Sequence, residues 1–144
     1  PTGVRRSGFM AYMSERYPET EIVNVVIDPK DEQKRFERLD EAFASYEGRK
    51  YIVMFNSRVH LVADYIRYRG MQGCRVVGFD CIGKNLQALR DGTVHMLIAQ
   101  HSDHQAAAAV HSLVDRFIHG VEISMKDHFT SMDILTRFNC DYYM

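Results

Sequence analysis

The sequence predicts an α/β fold, a three-layer lobe with a parallel sheet flanked by helices. Two observations carry this. Short apolar, largely β-branched runs recur at even spacing: "EIVNVVI" (21–27), "KYIVMF" (50–55) and "CRVVGF" (74–79). Each has the length of a buried strand and is too short for a core helix. Amphipathic stretches of helical period lie between them. Strand, helix, strand, helix, strand at this spacing means right-handed crossovers, so the strands at 22–27, 50–55 and 74–79 are expected to be parallel.

Each element has its own signals. In "RRSGFMAYMSER" (5–16), Phe9, Met10, Tyr12 and Met13 stand at helical spacing, and Tyr17-Pro18 ends the helix. After the run at 21–27, Asp28 suits an N-cap, Pro29 a first helical position, and acids crowd the first turn. Phe36, Leu39, Phe43 and Tyr46 then give one apolar face, closed by Gly48. Val59, Val62, Ala63 and Ile66 mark the next helix, closed by Gly70. "IGKNLQALRDG" is a short helical stretch with Leu86 and Leu89, and "TVHMLIA" (93–99) is a fourth strand. Ser102 and Gln105 fit the S-x-x-Q capping box of a helix from 102 to 120. Its apolar side carries Ala106 to Val110, Leu113, Val114, Phe117 and Ile118. "HFTSMDILTRFN" (128–139) reads as a last strand.

Composition narrows the function classes. The length of 144 residues is one domain's worth of chain. A formal net charge of −1 gives no support for nucleic-acid binding, which normally needs a basic face. No apolar run reaches the roughly 18 residues that span a bilayer, and no charged-then-apolar leader is present. Three cysteines (Cys74, Cys81, Cys140) without a CxxC pair read as reduced thiols, so a cytoplasmic location is expected. His101 and His104 are spaced like metal ligands but have no evident third partner, and read as surface histidines. No metal and no cofactor are expected.

The polar residues closing the apolar runs are Asp28, Asn56, Asp80 and Gln100. In a parallel sheet they share the carboxyl edge, where α/β sheets take their ligands. None is itself a nucleophile. Carboxylate and amide groups suit a polyol, and Arg5 or Arg6 could complete the set. The alternatives are structural: Asp28, Asn56 or Asp80 as helix caps, Gln100 as a partner of local backbone. A nucleotide-binding enzyme would need a glycine-rich turn after Ile27, where "DPKDEQ" stands. A receiver domain would need paired acids there, and only Asp28 fits.

Five motifs stand in an order that resembles the sugar-binding lobes of the LacI/GalR regulators: "RRSGF", "FNS", "VVGFD", "N..L..G....LIAQ" and "DILTRFN". Type I periplasmic sugar-binding proteins share that fold. The resemblance covers nearly the whole chain and corresponds to the carboxyl-terminal lobe of the effector domain. The ending "DILTRFN.DYY" is most similar to regulators of Bacteroides-type bacteria.

The resemblance implies a ligand-binding set. Arg5 matches the arginine of R-x-x-G-[FW], which grips sugar hydroxyls. Asn56 matches the amide after the "IVMF"-type strand, and Asp80 the acid of V-G-[FY]-D, an acceptor for a pair of hydroxyls. Gln100 matches the hinge glutamine. Asp28-Pro29 falls where relatives carry an aromatic or an acid; here the aromatic is missing. The implied function is a small-molecule sensor, not an enzyme, in a transcription regulator whose DNA-binding segment lies outside this chain. The alternative is a periplasmic sugar receptor of a transporter. The helix at 102–120 would belong to the other lobe, so its apolar side is expected to pair with a second copy as a homodimer. Only weak sugar binding is expected from this lobe alone.

Overall fold

The computed structural model describes residues 2–44, 46–122 and 129–143. Nine regular elements and one short 3₁₀ turn form along them. Helix α1 (Thr2–Arg16) and α2 (Glu32–Ala44) precede β1 (Lys50–Val53), α3 (Val59–Arg69) and β2 (Cys74–Phe79). Then come α4 (Gly83–Arg90), β3 (Met96–Ala99), α5 (Ser102–Phe117), β4 (Asp133–Leu135) and a 3₁₀ turn at Cys140–Tyr142. The sheet order is β1-β2-β3-β4, with β1, β2 and β3 parallel and β4 antiparallel to β3. The final run begins at His128, which lies outside the described residues; its paired part is Asp133–Leu135.

Helices cover both faces of this sheet. On one face Cys74, Val76, Leu97, Ala99 and Leu135 are buried together with Val59, Val62 and Ile66 of α3 and Ala88 and Leu89 of α4. Gly78 belongs there too: a Cβ added to it would stand 2.6 Å from Val59 Cβ, so the missing side chain lets α3 lie directly on β2. Helix α2 reaches the core through Leu39 and packs Phe36 edge-on and Phe43 stacked against Tyr65 of α3, with ring centroids 5.3 and 5.9 Å apart. The other face carries α1 at its carboxyl end: Arg5 sits 4.4 Å over the Phe79 ring, and Phe9 packs 5.4 Å from Phe55. Further along that face Tyr51 and Ile134 stay exposed.

Three expectations need correction. The run at 21–27 is extended but is not a strand, so the parallel trio contains only 50–53 and 74–79 of the three runs proposed, joined by 96–99. Val25 and Ile27 do face the core while Val23 and Val26 point out. Among the described residues, however, the backbone of this segment makes no hydrogen bond to another backbone segment. A strand requires a partner as well as a propensity.

The second correction concerns the start of α2. Asp31, not Asp28, is its cap: Asp31 Oδ1 accepts the N–H of Lys34 at 3.1 Å, whereas Asp28 Oδ1 accepts those of Lys30 and Asp31 in a preceding turn. Both carboxyls are held below the usual range, chiefly by these backbone donors.

Third, Ser102 and Gln105 form no capping box. His101 enters α5 with a left-handed backbone (φ 49°), and Gln105 Nε2 donates instead to Gln100 O at 2.6 Å. Helix α5 has no buried residue; Val110, Leu113, Val114, Phe117 and Ile118 all stand in solvent. Gly70 does close α3, at φ 61° with its N–H on Arg67 O, and Met71 N–H reaches Ile66 O as in a Schellman cap. Among the described residues no helix is long and apolar enough to cross a membrane.

Candidate functional site

The carboxyl edge of the sheet gathers the expected residues from four segments. The first turns of α1 place Arg5 over this edge, where Nη1 donates to Phe55 O at 3.0 Å and Nη2 to Gln100 Oε1 at 2.6 Å. Gln100, one residue past β3, donates through Nε2 to Asp80 Oδ1. Asp80, one residue past β2, has φ 67°, a region an aspartate enters more readily than most side chains. Its N–H still bonds Ile98 O at 3.0 Å, so the ladder holds the residue while its backbone turns away. Arg5, Asp80 and Gln100 are thus one hydrogen-bonded chain, all half-buried.

Asn56 stands beside Phe55, whose carbonyl Arg5 takes. Its Oδ1 accepts the N–H of Arg58 at 2.9 Å, a turn at the entry to α3, and its Nδ2 has no partner among the described residues. The oxygen thus shapes the turn, as the capping alternative expected. Arg6 is not part of this set; its Nε donates to Asn24 Oδ1 at 3.2 Å. Asp28 is spent on its own turn.

A residue that sequence reasoning passed over holds this edge together. Asn85, fully buried in the first turn of α4, donates Nδ2 to the carbonyls of Ser57, Phe79 and Asp80 at 2.9, 3.2 and 2.9 Å. Its Oδ1 lies 3.2 Å from His60 N and 2.9 Å from His60 Nδ1. Because the amide nitrogen serves carbonyls, Oδ1 is the acceptor and His60 carries its proton on Nδ1. The available signal was the asparagine within "N..L..G....LIAQ", an unusual polar residue on the apolar side of a short helix.

Two chemically capable residues, Cys81 and His101, flank the set. Burial pushes the Cys81 thiol up to about 11, with the Asp80 charge adding to it, so it is protonated at neutral pH. His101 turns its Nε2 to Asp133 at 2.9 Å. What remains is a guanidinium, a carboxylate and two carboxamides in fixed positions: donors and acceptors suited to adjacent hydroxyls. A separate shallow concavity of about 490 Å³ opens at the other end of the sheet, between Gly73, Arg75, Thr93 and His95, and touches none of these residues.

Known structures with this architecture were found. One, assigned as a LacI transcriptional regulator from Bacteroides fragilis, aligns with a TM-score of 0.90 at 29% identity, over 99% of this chain and 49% of its own. An ABC transporter solute-binding protein from Agrobacterium vitis, bound with α-D-tagatopyranose, aligns at 0.79 and 23% identity, over 96% of this chain and 46% of its own. The Caulobacter myo-inositol binding protein, bound to myo-inositol, aligns at 0.77 and 17% identity, over 96% and 48%. The chain therefore spans about half the length of these structures. No curated protein sequence matches it. A family model described as a periplasmic binding protein domain matches residues 2–118, from α1 through α5. With that match over most of its length, the chain belongs to the periplasmic binding protein domain family.

Proposed function

We propose that this chain is the ligand-sensing lobe of a LacI-type bacterial transcriptional regulator, taking a sugar or sugar derivative at the edge formed by Arg5, Asn56, Asp80 and Gln100. The observation that carries the reading is the convergence of those side chains at one sheet edge, three of them already joined by hydrogen bonds. Each offers a donor or acceptor at a fixed point, as recognition of a polyol needs, and Cys81 beside them is protonated, which supports binding without turnover. The sugars named in the similar solved structures support the ligand class.

The regulator role draws its support from the Bacteroides fragilis structure, whose TM-score and identity exceed those of the transporter proteins reported above. In this reading the ligand closes two lobes, shifts the balance between two lobe arrangements, and so alters DNA affinity through a segment outside this chain. The protein is cytoplasmic, in keeping with its free cysteines. The solvent-facing stripe of α5 supports association with a second copy. A second reading, a periplasmic sugar receptor, is supported by the fold shared with the tagatose- and inositol-bound proteins.

Two measurements test the proposal. Calorimetry of the intact protein against a panel of monosaccharides and polyols should give a saturable ligand, and a panel without any binder would remove the sugar assignment. The full reading frame separates the roles: a helix-turn-helix segment supports the regulator, a secretory leader the receptor.

A further inference from the structure

His101 is not a surface histidine. Its side chain is only 19% exposed, and it is held from several directions. Nε2 lies 2.9 Å from Asp133 Oδ2 on β4, the Tyr143 ring packs with its centroid 5.0 Å away, and Tyr143 Oη accepts the His101 N–H at 3.2 Å. The backbone that presents it is left-handed, at φ 49°. Such a backbone is unfavourable for a residue with a Cβ unless its surroundings fix it. One turn on, the His104 ring stacks on that of His101, with centroids 5.1 Å apart and planes 21° from parallel. His104 Nε2 lies 3.6 Å from Asp103 Oδ2. A donor atom from each of His101, Asp103 and His104 falls within 4.8 Å of the others.

We propose that His101, Asp103 and His104 bind a divalent first-row transition ion of the zinc type, with Asp133 as the outer carboxylate that orients His101. Two imidazoles and a carboxylate form a donor set that suits zinc and its neighbours in the row, and a fourth tetrahedral position is left to water. A ligating histidine commonly gives its other nitrogen to a carboxylate, which fixes ring and tautomer. Asp133 stands in that relation to His101, so Nδ1 is the nitrogen that faces the ion. The charges also fit: Asp103 and Asp133 together offset a 2+ ion at a helix start that would otherwise disfavour a cation. Bridging the first turn of α5 and, through His101, β4, the ion would clamp the junction where the chain leaves β3. That junction begins at Gln100, one residue from His101.

The test uses metal ions alone, with protein freed of metal by chelation. Titration with Zn²⁺ should show one ion per chain, bound in the micromolar range. His104 is 72% exposed, so His104→Ala leaves the fold intact; it should weaken binding at least about tenfold, and Asp133→Asn by about 10- to 100-fold. Co²⁺ should give the visible bands of a tetrahedral nitrogen and oxygen site. No stoichiometric binding, unchanged affinity in H104A, or a near-ultraviolet thiolate band placing the ion on cysteine would each overturn the proposal. Unchanged affinity in D133N would overturn the role given to Asp133.

Discussion

Asn85 shows how much of the sheet's carboxyl edge can rest on one buried amide. Three carbonyls, from the β1–α3 loop and the end of β2, converge on its nitrogen, and the start of α3 uses its oxygen. In Asn85→Ala each of those buried groups loses its partner without gaining water, so stability should fall by about 3 kcal/mol. Urea unfolding checks this, and a loss below about 1 kcal/mol would mean that water or rearranged backbone replaces the amide. Asp80 asks a different question. Asp80→Asn retains the size and the tolerance of a left-handed backbone, so unfolding should change by less than about 0.5 kcal/mol. Asp80→Ala removes the acceptor, and sugar affinity in the intact protein should drop by about 1.5–3 kcal/mol, roughly tenfold to more than a hundredfold. Unchanged affinity by calorimetry would take Asp80 out of the site. Residue types alone left Arg5 and Arg6 open, since both sit in one helical turn; the R-x-x-G-[FW] resemblance picked Arg5, and in the fold Arg5 faces the sheet edge while Arg6 bonds Asn24.

At the scale of elements, two packing decisions set the core. The first is the contact of α3 with β2. A methyl at position 78 would meet Val59 Cβ and Cγ1 at 2.6 Å, so Gly78→Ala should destabilise by about 1–3 kcal/mol. Val59→Ala should not restore the loss, because the Val59 Cβ is itself part of the clash; full rescue in the double variant would show that the helix can shift. The second is the packing of α2 on α3. Tyr65 Oη donates to Asp40 Oδ1 at 2.8 Å, and Arg69 pairs with the same carboxylate. Burial, aided by Asp40, raises the Tyr65 phenol from its ordinary 10.0 to about 12. Folded Tyr65 therefore keeps its proton where the unfolded chain gives it up. This contribution to stability is complete below pH 10 and is lost between about pH 10 and 12. In Tyr65→Phe that share of the alkaline loss should disappear from denaturation curves measured across the window, at the cost of about 1 kcal/mol near neutral pH for the missing hydrogen bond. An alkaline profile identical to that of the unsubstituted chain would remove Tyr65 as its source.

For the whole molecule the open question is what covers α5. Phe117 and Ile118 are 81% and 72% exposed, and Val110, Leu113 and Val114 share the helix with them. Burying such side chains is worth roughly 1.5–3 kcal/mol each, so the stripe favours association. Pairing with the same helix of a second copy about a two-fold axis is the expected arrangement for this chain. Light scattering at micromolar concentration should give the mass of a dimer, and Phe117→Asp should restore a monomer. A monomer mass for the unsubstituted chain would reject the pairing.

The elements that could be read in advance are those whose pattern is local. Helical spacing announced α1, α2, α3 and α5, and short apolar runs announced β1, β2 and β3, because a face that must be buried repeats with the period of its own backbone. The ends of those runs likewise placed Asn56, Asp80 and Gln100 at the carboxyl edge of the sheet in advance. Tertiary structure alone decided whatever needs a partner distant in the chain. The segment at 21–27 has strand propensity, yet among the described residues its backbone bonds to no other strand. Asn85 reads as one polar residue in a short helix until three carbonyls from elsewhere meet it. Asp133, 32 residues from His101 in sequence, becomes its neighbour only because β4 folds back against β3. Periodicity is written residue by residue, whereas pairing is a property of two segments at once, and only the fold brings them together.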